Sequence, residues 1–112
     1  MTPKQKQWIA ENREWARQTI FHVLNLDLTG TLMEPVEQNE IKAKNIFNRL
    51  YADATAACKK LPPVEVTFED HEPASKATQQ LARVHVMLIR KVIDWVVEHR
   101  IALTRSDATD VM

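Results

Sequence analysis

The stretch from residue 77 to residue 97 constrains the fold most, because apolar side chains occupy most of a helical circumference there. At 100° per residue, the apolar positions cover an arc of roughly 220°, whereas a surface helix needs a face of about 100°. These positions are Ala77, Leu81, Ala82, Val84, Val86, Leu88, Ile89, Val92, Ile93, Trp95, Val96 and Val97. We therefore expect a central helix packed on two sides, either by the other helices of the chain or by a second chain.

This third helix is predicted to run from about Pro73 to about Leu103, which is roughly 45 Å at 1.5 Å per residue. Its polar strip is narrow and consists of Lys76, Arg83, Arg90, Lys91, Asp94 and Glu98. The last residues of the chain are polar and show no pattern. We therefore expect a single helical bundle domain over residues 1–103 and a flexible C-terminal tail over 104–112.

The first helix is predicted from a start signal at the N-terminus. Thr2 is a preferred N-cap residue, Pro3 suits the first helical position, and Gln5 completes a capping box. Two neighbouring apolar stripes follow at helical spacing, and they indicate an amphipathic helix through about residue 25.

The second helix is predicted to begin between Thr31 and Pro35 and to end near Leu61. Apolar residues at helical spacing continue through its second half. Pro62 and Pro63 follow directly, and two prolines in a row stop a helix.

Glycine content supports this division into a few long elements. Gly30 is the only glycine of 112 residues, and a fold with many tight turns needs more of them. The predicted class is mainly all-α: three long antiparallel helices form a small bundle. Residues 24–32 and 64–68 alternate apolar and polar side chains, so a short extended or β segment, best placed near 64–68, stays open.

Composition favours a soluble chain in a reducing compartment. Cys58 is the only cysteine, so no internal disulfide can form and a cytoplasmic location is the simplest interpretation. The longest uncharged apolar stretch, Val84 to Ile89, is far shorter than the ~20 residues of a membrane span. We expect no membrane partner.

The sequence contains no recognisable catalytic, metal or cofactor site. His85 and His99 lie about 21 Å apart along a helix axis, which is too far to share one metal ion. We expect both to be buried or interface histidines with hydrogen-bond partners across the bundle. Cys58 lies on an apolar stripe, and a single glycine cannot build a phosphate-binding loop. We therefore expect no enzyme activity and no cofactor.

The favoured function is a non-enzymatic protein–protein interaction module, such as an adaptor, an inhibitor or a small subunit of a larger assembly. It follows from the wide apolar arc of the third helix, which another protein or a second copy in a homodimer would cover. The predicted interface residues are Trp8, Trp15, Val86, Ile89, Ile93 and Val97, and burial in the core is the alternative for the two tryptophans.

Two alternatives belong to other classes. Lys76, Arg83 and Arg90 recur every seven residues and, with Lys91, could contact phosphates as part of a nucleoprotein complex. The chain carries no net charge, however, which disfavours a free-standing nucleic-acid binder. A metal-dependent nucleotide hydrolase is the second alternative. It would use Glu37 and Glu40, although the third helix offers no matching acidic motif.

Overall fold

Three helices make up the architecture of the computed structural model, which describes residues 1–26, 37–62 and 65–111, with side chains through residue 102. The helices are α1 (Pro3–Leu24), α2 (Glu37–Lys60) and α3 (Lys76–Val111). Each helix packs against the other two, and no strand occurs among the described residues. The predicted small all-α bundle is confirmed.

The beginning of α1 has the predicted capping box. The Thr2 hydroxyl accepts a hydrogen bond from the Gln5 backbone N–H at 3.2 Å, and the Gln5 side chain accepts one from the Thr2 N–H at 3.1 Å. Pro3 occupies the first turn, where its missing N–H costs no hydrogen bond. The helix ends at Leu24, close to the predicted residue 25.

Contacts at the start of α1 also fix the topology. The Thr2 hydroxyl donates to Asp70 Oδ2 at 2.7 Å, and the buried Gln5 side chain donates to the Glu72 carbonyl at 3.3 Å. Asp70 and Glu72 belong to the connector that leads into α3. The N-terminal ends of α1 and α3 are therefore close together, so these two helices run parallel and α2 runs antiparallel to both.

Aliphatic and aromatic side chains from all three helices form one core. It consists of Ala16, Ile20, Val23, Ala43, Phe47, Leu50, Ala54, Val84, Leu88, Val92 and Trp95. Alanines on α1 and α2 allow the backbones to approach, and the larger side chains of the facing helices fill the space between them.

The ends of α3 differ from the prediction. The helix begins at Lys76 rather than Pro73, because Ser75 is the capping residue: its hydroxyl accepts from the Thr78 N–H at 3.2 Å. It continues to Val111 rather than ending near Leu103, and neither glycine nor proline follows Leu103 to stop it. The flexible tail over 104–112 stays a prediction, because the side chains there lie outside the described residues.

The segment leading to α3 forms no strand over its described residues 65–68. The Gln79 side chain makes both hydrogen bonds that a neighbouring strand would make to Val66. Its Oε1 accepts from the Val66 N–H and its Nε2 donates to the Val66 carbonyl, each at 2.8 Å. A side-chain amide thus satisfies this backbone in place of a sheet. Most of the other alternating stretch, 24–32, lies outside the described residues.

α3 is longer than the two helices that pack against it. It has 36 residues, compared with 22 in α1 and 24 in α2. Arg13, Tyr51 and His85 meet at one level of the bundle. From this level α3 continues for 26 residues, whereas α1 has 11 left and α2 extends 14 residues in the same direction. At 1.5 Å per residue, α3 projects about 18 Å past α2.

Candidate interaction surface on α3

One face of α3 carries a row of apolar side chains that the single chain leaves exposed, with the exposed Arg90 among them. Val86, Ile93, Val97 and Ile101 are 37%, 50%, 53% and 46% exposed, respectively. Their spacing of seven, four and four residues places them within an arc of about 80°. Val84, Leu88 and Trp95 lie on the opposite side of the same helix and are buried in the core. We call the four exposed residues the outer face of α3.

Three of the six predicted interface residues are exposed on the outer face, and their role in an interface stays a prediction. These three are Val86, Ile93 and Val97, and Ile89 lies half-buried beside the outer face. Ile101 was not included in the sequence-derived set, although its spacing of four residues from Val97 continues the same row.

The two tryptophans of α1 have different surroundings. Trp8 is half-buried, and its ring meets Phe68 of the connector edge to face, with centroids 5.5 Å apart. Trp15 is 42% exposed. Trp8 therefore holds the connector against α1, while Trp15 presents apolar area at the surface. Their participation in an interface stays a prediction.

A cleft of about 310 Å³ adjoins the outer face between α3 and the end of α2. Its lining is mainly apolar: Cys58, Leu61, Pro62, Val66, Arg83, Val86, Met87 and Arg90. Val86 belongs to both the cleft and the outer face, so the apolar surface is continuous between them. Leu61 adds a side chain that is 50% exposed.

Burial is the main influence on the pKa of the Cys58 thiol in this cleft. It raises the pKa of Cys58, and the charge of Arg83 offsets that rise only in part. The thiol is therefore protonated near neutral pH, and a protonated thiol is a poor nucleophile. The position of Cys58 on an apolar stripe, as expected from the sequence, fits a packing role.

The basic residues of α3 differ in solvent exposure. Lys76 and Arg90 are exposed, whereas Arg83 and Lys91 are half-buried. Arg90 also lies beside Val86 and the rest of the outer face, one helical turn away from apolar neighbours. A phosphate backbone that contacted Arg90 would therefore lie against apolar side chains.

His85 is the most deeply buried titratable group of the described residues. Its side chain is fully buried, and Nδ1 lies 2.8 Å from the Leu81 carbonyl of the same helix. This partner differs from the expected partner across the bundle. Nε2 is buried without a hydrogen bond. Burial lowers the pKa of His85. The hydrogen bond with the Leu81 carbonyl opposes this in part, and the positive charge of Arg13 lowers the pKa further.

Tyr51 and Arg13 complete the surroundings of His85. The Tyr51 ring meets the imidazole edge to face at 5.6 Å, and the Arg13 guanidinium lies 5.4 Å from the centroid of the same tyrosine ring. Arg13 also donates to the Tyr51 hydroxyl at 3.4 Å. The three residues form a polar cluster that joins all three helices inside the bundle.

His99 has a different environment near the far end of the bundle. Its ring stacks on Trp95 with centroids 5.0 Å apart and an angle of 18° between the planes. Partial burial lowers the pKa of His99, and the charge of Arg100 acts in the same direction. Both histidines therefore favour their neutral forms in the folded chain.

Acidic residues form no metal centre in the part of the chain that is described. Glu37 and Glu40 are exposed in the first turn of α2, and no three His, Cys, Asp or Glu side chains converge on a common point there. In the connector, Asp70 accepts from the Thr2 hydroxyl, and this hydrogen bond lowers the pKa of Asp70. Asp70 and Glu72 thus hold the start of α1 against the connector that leads into α3.

Comparison with protein-family models, with curated proteins and with solved structures finds no match to this chain. Within the described residues, no helix is long and apolar enough to cross a membrane.

Proposed function

We propose that this chain is a non-enzymatic interaction module and that the outer face of α3 binds another protein surface. The observation that carries the proposal is the exposure of Val86, Ile93, Val97 and Ile101 in one row. Single exposed apolar side chains are normal on protein surfaces, but contiguous apolar patches mark interaction sites.

The free energy available at this face is large enough to matter. Full burial of a valine or isoleucine side chain is worth about 1.5–3 kcal/mol, and these four are already about half buried. Completing their burial would therefore contribute several kcal/mol. Association costs a comparable amount in lost motional freedom, so neighbouring contacts such as the cleft at Leu61 must add to the total.

The nucleic-acid alternative has weaker support. Lys76 and Arg90 are exposed, but Arg83 between them is half-buried and borders an apolar cleft. Binding of single-stranded nucleic acid also needs aromatic side chains interleaved with the basic residues. No Phe, Tyr or Trp lies between Lys76 and Arg90. The hydrolase alternative lacks a third acidic ligand near Glu37 and Glu40 among the described residues.

The proposed setting is the cytoplasm. Cys58 is the only cysteine of the sequence, so the chain has no internal disulfide, which suits a reducing compartment. A module of this type would use its surface to join an assembly there.

Charged substitutions on the outer face provide the test. The tagged full chain is isolated from its native host, and the mass of the native complex is measured by light scattering. We expect the wild type to form a complex of fixed stoichiometry, either with itself or with one other protein. Ile93→Glu combined with Val97→Glu should abolish that complex, because two charges would be buried without partners.

Ile41→Glu is the matched control. Ile41 is an isoleucine of α2 with 58% exposure, similar to the 50% of Ile93, but it lies on a different helix. The control variant should retain the complex. A strictly monomeric wild type, or a complex that survives the double substitution, would contradict the proposed function.

A further inference from the structure

We infer that the cleft between α3 and the end of α2 binds a small apolar carboxylate, with its carboxylate group at Arg90 and its apolar body against Leu61, Val86 and Met87. The inference goes beyond the proposed function, because it needs no protein partner. Three properties of the cleft support it: its volume, its apolar walls and its unbalanced charge.

The cleft has the size of a site for a small molecule. Its volume of about 310 Å³ lies at the lower end of the range of roughly 300–1,000 Å³ that is typical of ligand pockets. Ten water molecules occupy about the same volume in the liquid, so the cleft admits a ligand of about ten non-hydrogen atoms. Octanoate is an aliphatic acid of this size.

Three elements supply the apolar walls of the cleft. Cys58 lies in α2 and Leu61 directly after it, Val66 belongs to the connector, and Val86 and Met87 belong to α3. Leu61 is 50% exposed and Val86 is 37% exposed in the single chain. An aliphatic chain in the cleft would remove apolar area of both side chains from water, and this burial favours binding.

The charges that line the cleft are all positive. Arg83 and Arg90 are its charged residues, and no carboxylate is among the described residues that line it. The chain as a whole balances 15 basic residues with 15 acidic ones, so the excess is local. An anionic group is the electrostatic complement of such a surface.

Arg90 is the arginine that a carboxylate can reach most easily. Its side chain is exposed, and it has no hydrogen bond or ion pair within the described part of the chain. Arg83 is half-buried, and its charge extends to Cys58, where it opposes the rise of the thiol pKa. A guanidinium group binds a carboxylate through charge-assisted hydrogen bonds, which are stronger than neutral ones.

Other classes of ligand match the cleft less well. A cation would face the positive charge of the two arginines. A ligand with many polar groups would place them against apolar walls, where they would lose their hydrogen bonds to water without replacement. A small molecule that is apolar at one end and anionic at the other complements both the walls and the charge.

Calorimetry with the full-length chain tests the ligand class. The probes are octanoate, its uncharged isostere octanamide and the cation octylammonium. We expect saturable binding of octanoate with a Kd on the order of 1 mM, which suits a ligand of this size. Octanamide should bind about fivefold more weakly, and octylammonium more weakly still. Failure of octanoate to bind, or equal affinity for octanoate and either comparison ligand, would overturn the inference.

The native thiol reports whether the ligand occupies this cleft. Cys58 is the only cysteine of the chain and lines the cleft. Bound octanoate should therefore slow the alkylation of Cys58, with the same Kd as calorimetry gives. Octanoate binding that leaves the alkylation rate unchanged would place the ligand elsewhere and overturn the inference.

Substitutions distinguish the contribution of the charge from that of the apolar wall. Arg90→Gln should raise the Kd of octanoate about fivefold and leave that of octanamide unchanged, because only the ion pair is lost. Leu61→Glu should weaken octanoate binding about tenfold, because it removes apolar area and adds a like charge. Circular dichroism verifies that each variant keeps its helix content.

Arg49→Gln and Ile41→Glu are the matched controls. Both residues are exposed on α2 and neither lines the cleft, so both variants should keep the wild-type Kd for octanoate. An octanoate Kd that is equal in Arg90→Gln and Arg49→Gln would overturn the assignment of the carboxylate to Arg90.

The ligand site and the proposed function can fail separately. Ile93→Glu with Val97→Glu should leave octanoate binding unchanged, because neither residue lines the cleft. If octanoate does not bind but this double variant disrupts a protein complex, the ligand site is wrong and the proposed function stands. If octanoate binds as described but no complex exists, the proposed function is wrong and the ligand site stands.

Discussion

At the scale of single residues, the buried imidazole of His85 links stability to pH. Its Nε2 has no hydrogen-bond partner, while Tyr51 and Arg13 surround the ring. A charged imidazole at this position would lose its hydration and face a guanidinium. The neutral form is therefore the one that the folded bundle accepts.

The lowered pKa fixes the direction of the pH dependence. Above about pH 6.5, the ordinary pKa of histidine, His85 is neutral in both states and contributes no pH dependence. As the pH falls below that value, the unfolded chain binds a proton that the folded chain does not. The free energy of unfolding should then decrease by at most ~1.4 kcal/mol per pH unit for this group. Urea titrations between pH 7.5 and pH 5 measure the decrease.

Substitution identifies the group responsible. His85→Phe and His85→Leu should both flatten this slope, because neither side chain titrates. His99→Gln is the comparison, since His99 also has a lowered pKa but is less deeply buried. A slope unchanged in both His85 variants would show that its protonation is not linked to folding.

At the scale of the helix, substitutions of two valines of α3 distinguish a role in core packing from a role in association. Val92 is fully buried and Val97 is 53% exposed on the same helix. Val92→Ala should lower the free energy of unfolding by about 2 kcal/mol, because it removes buried methyl groups and leaves a cavity. Val97→Ala should change the stability of the monomer by less than about 0.5 kcal/mol.

The order of the two effects should reverse when the affinity of the complex is measured instead of the stability of the monomer. Val97→Ala should weaken the complex, whereas Val92→Ala should leave it intact once the chain is folded. Urea unfolding at low concentration and sedimentation at high concentration give the two measurements. Equal effects of both substitutions on assembly would argue that the outer face has no special role.

Periodicity was sufficient to predict most of the elements. The capping box at Thr2 and the apolar stripes gave α1 and the bundle class, and the wide arc over residues 77–97 predicted a helix with two apolar sides. The ends of α3 were missed at both termini. Ser75 begins the helix through its own hydroxyl, and nothing in the sequence after Leu103 marks an end.

The details of the surface depend on neighbours that are distant in sequence. Periodicity alone cannot say which apolar side of α3 the chain covers, because that depends on how α1 and α2 approach it. The contact of Trp8 with Phe68 and the hydrogen bonds of Gln79 with Val66 join residues from different elements. Ile101, by contrast, follows from the spacing of the outer face.

At the scale of the whole molecule, length and shape favour an assembly. A chain of 112 residues buries a modest core, and α3 projects beyond its two neighbours. The extents of 57 × 29 × 21 Å and the radius of gyration of 16.8 Å describe an elongated molecule. A compact domain of this size would have a radius of about 13 Å. Elongation leaves more of α3 available to a partner.

The accessibility of position 93 in the native cell tests the central claim most directly. In a Cys58→Ser background, Ile93→Cys and Ile41→Cys chains are expressed in the native host and treated with a membrane-permeant thiol reagent. The two positions have similar exposure, 50% and 58%, in the isolated chain. We predict that position 93 reacts much more slowly than position 41, and that denaturation equalises the rates. Equal rates in the intact cell would show that nothing covers the outer face and would contradict the account.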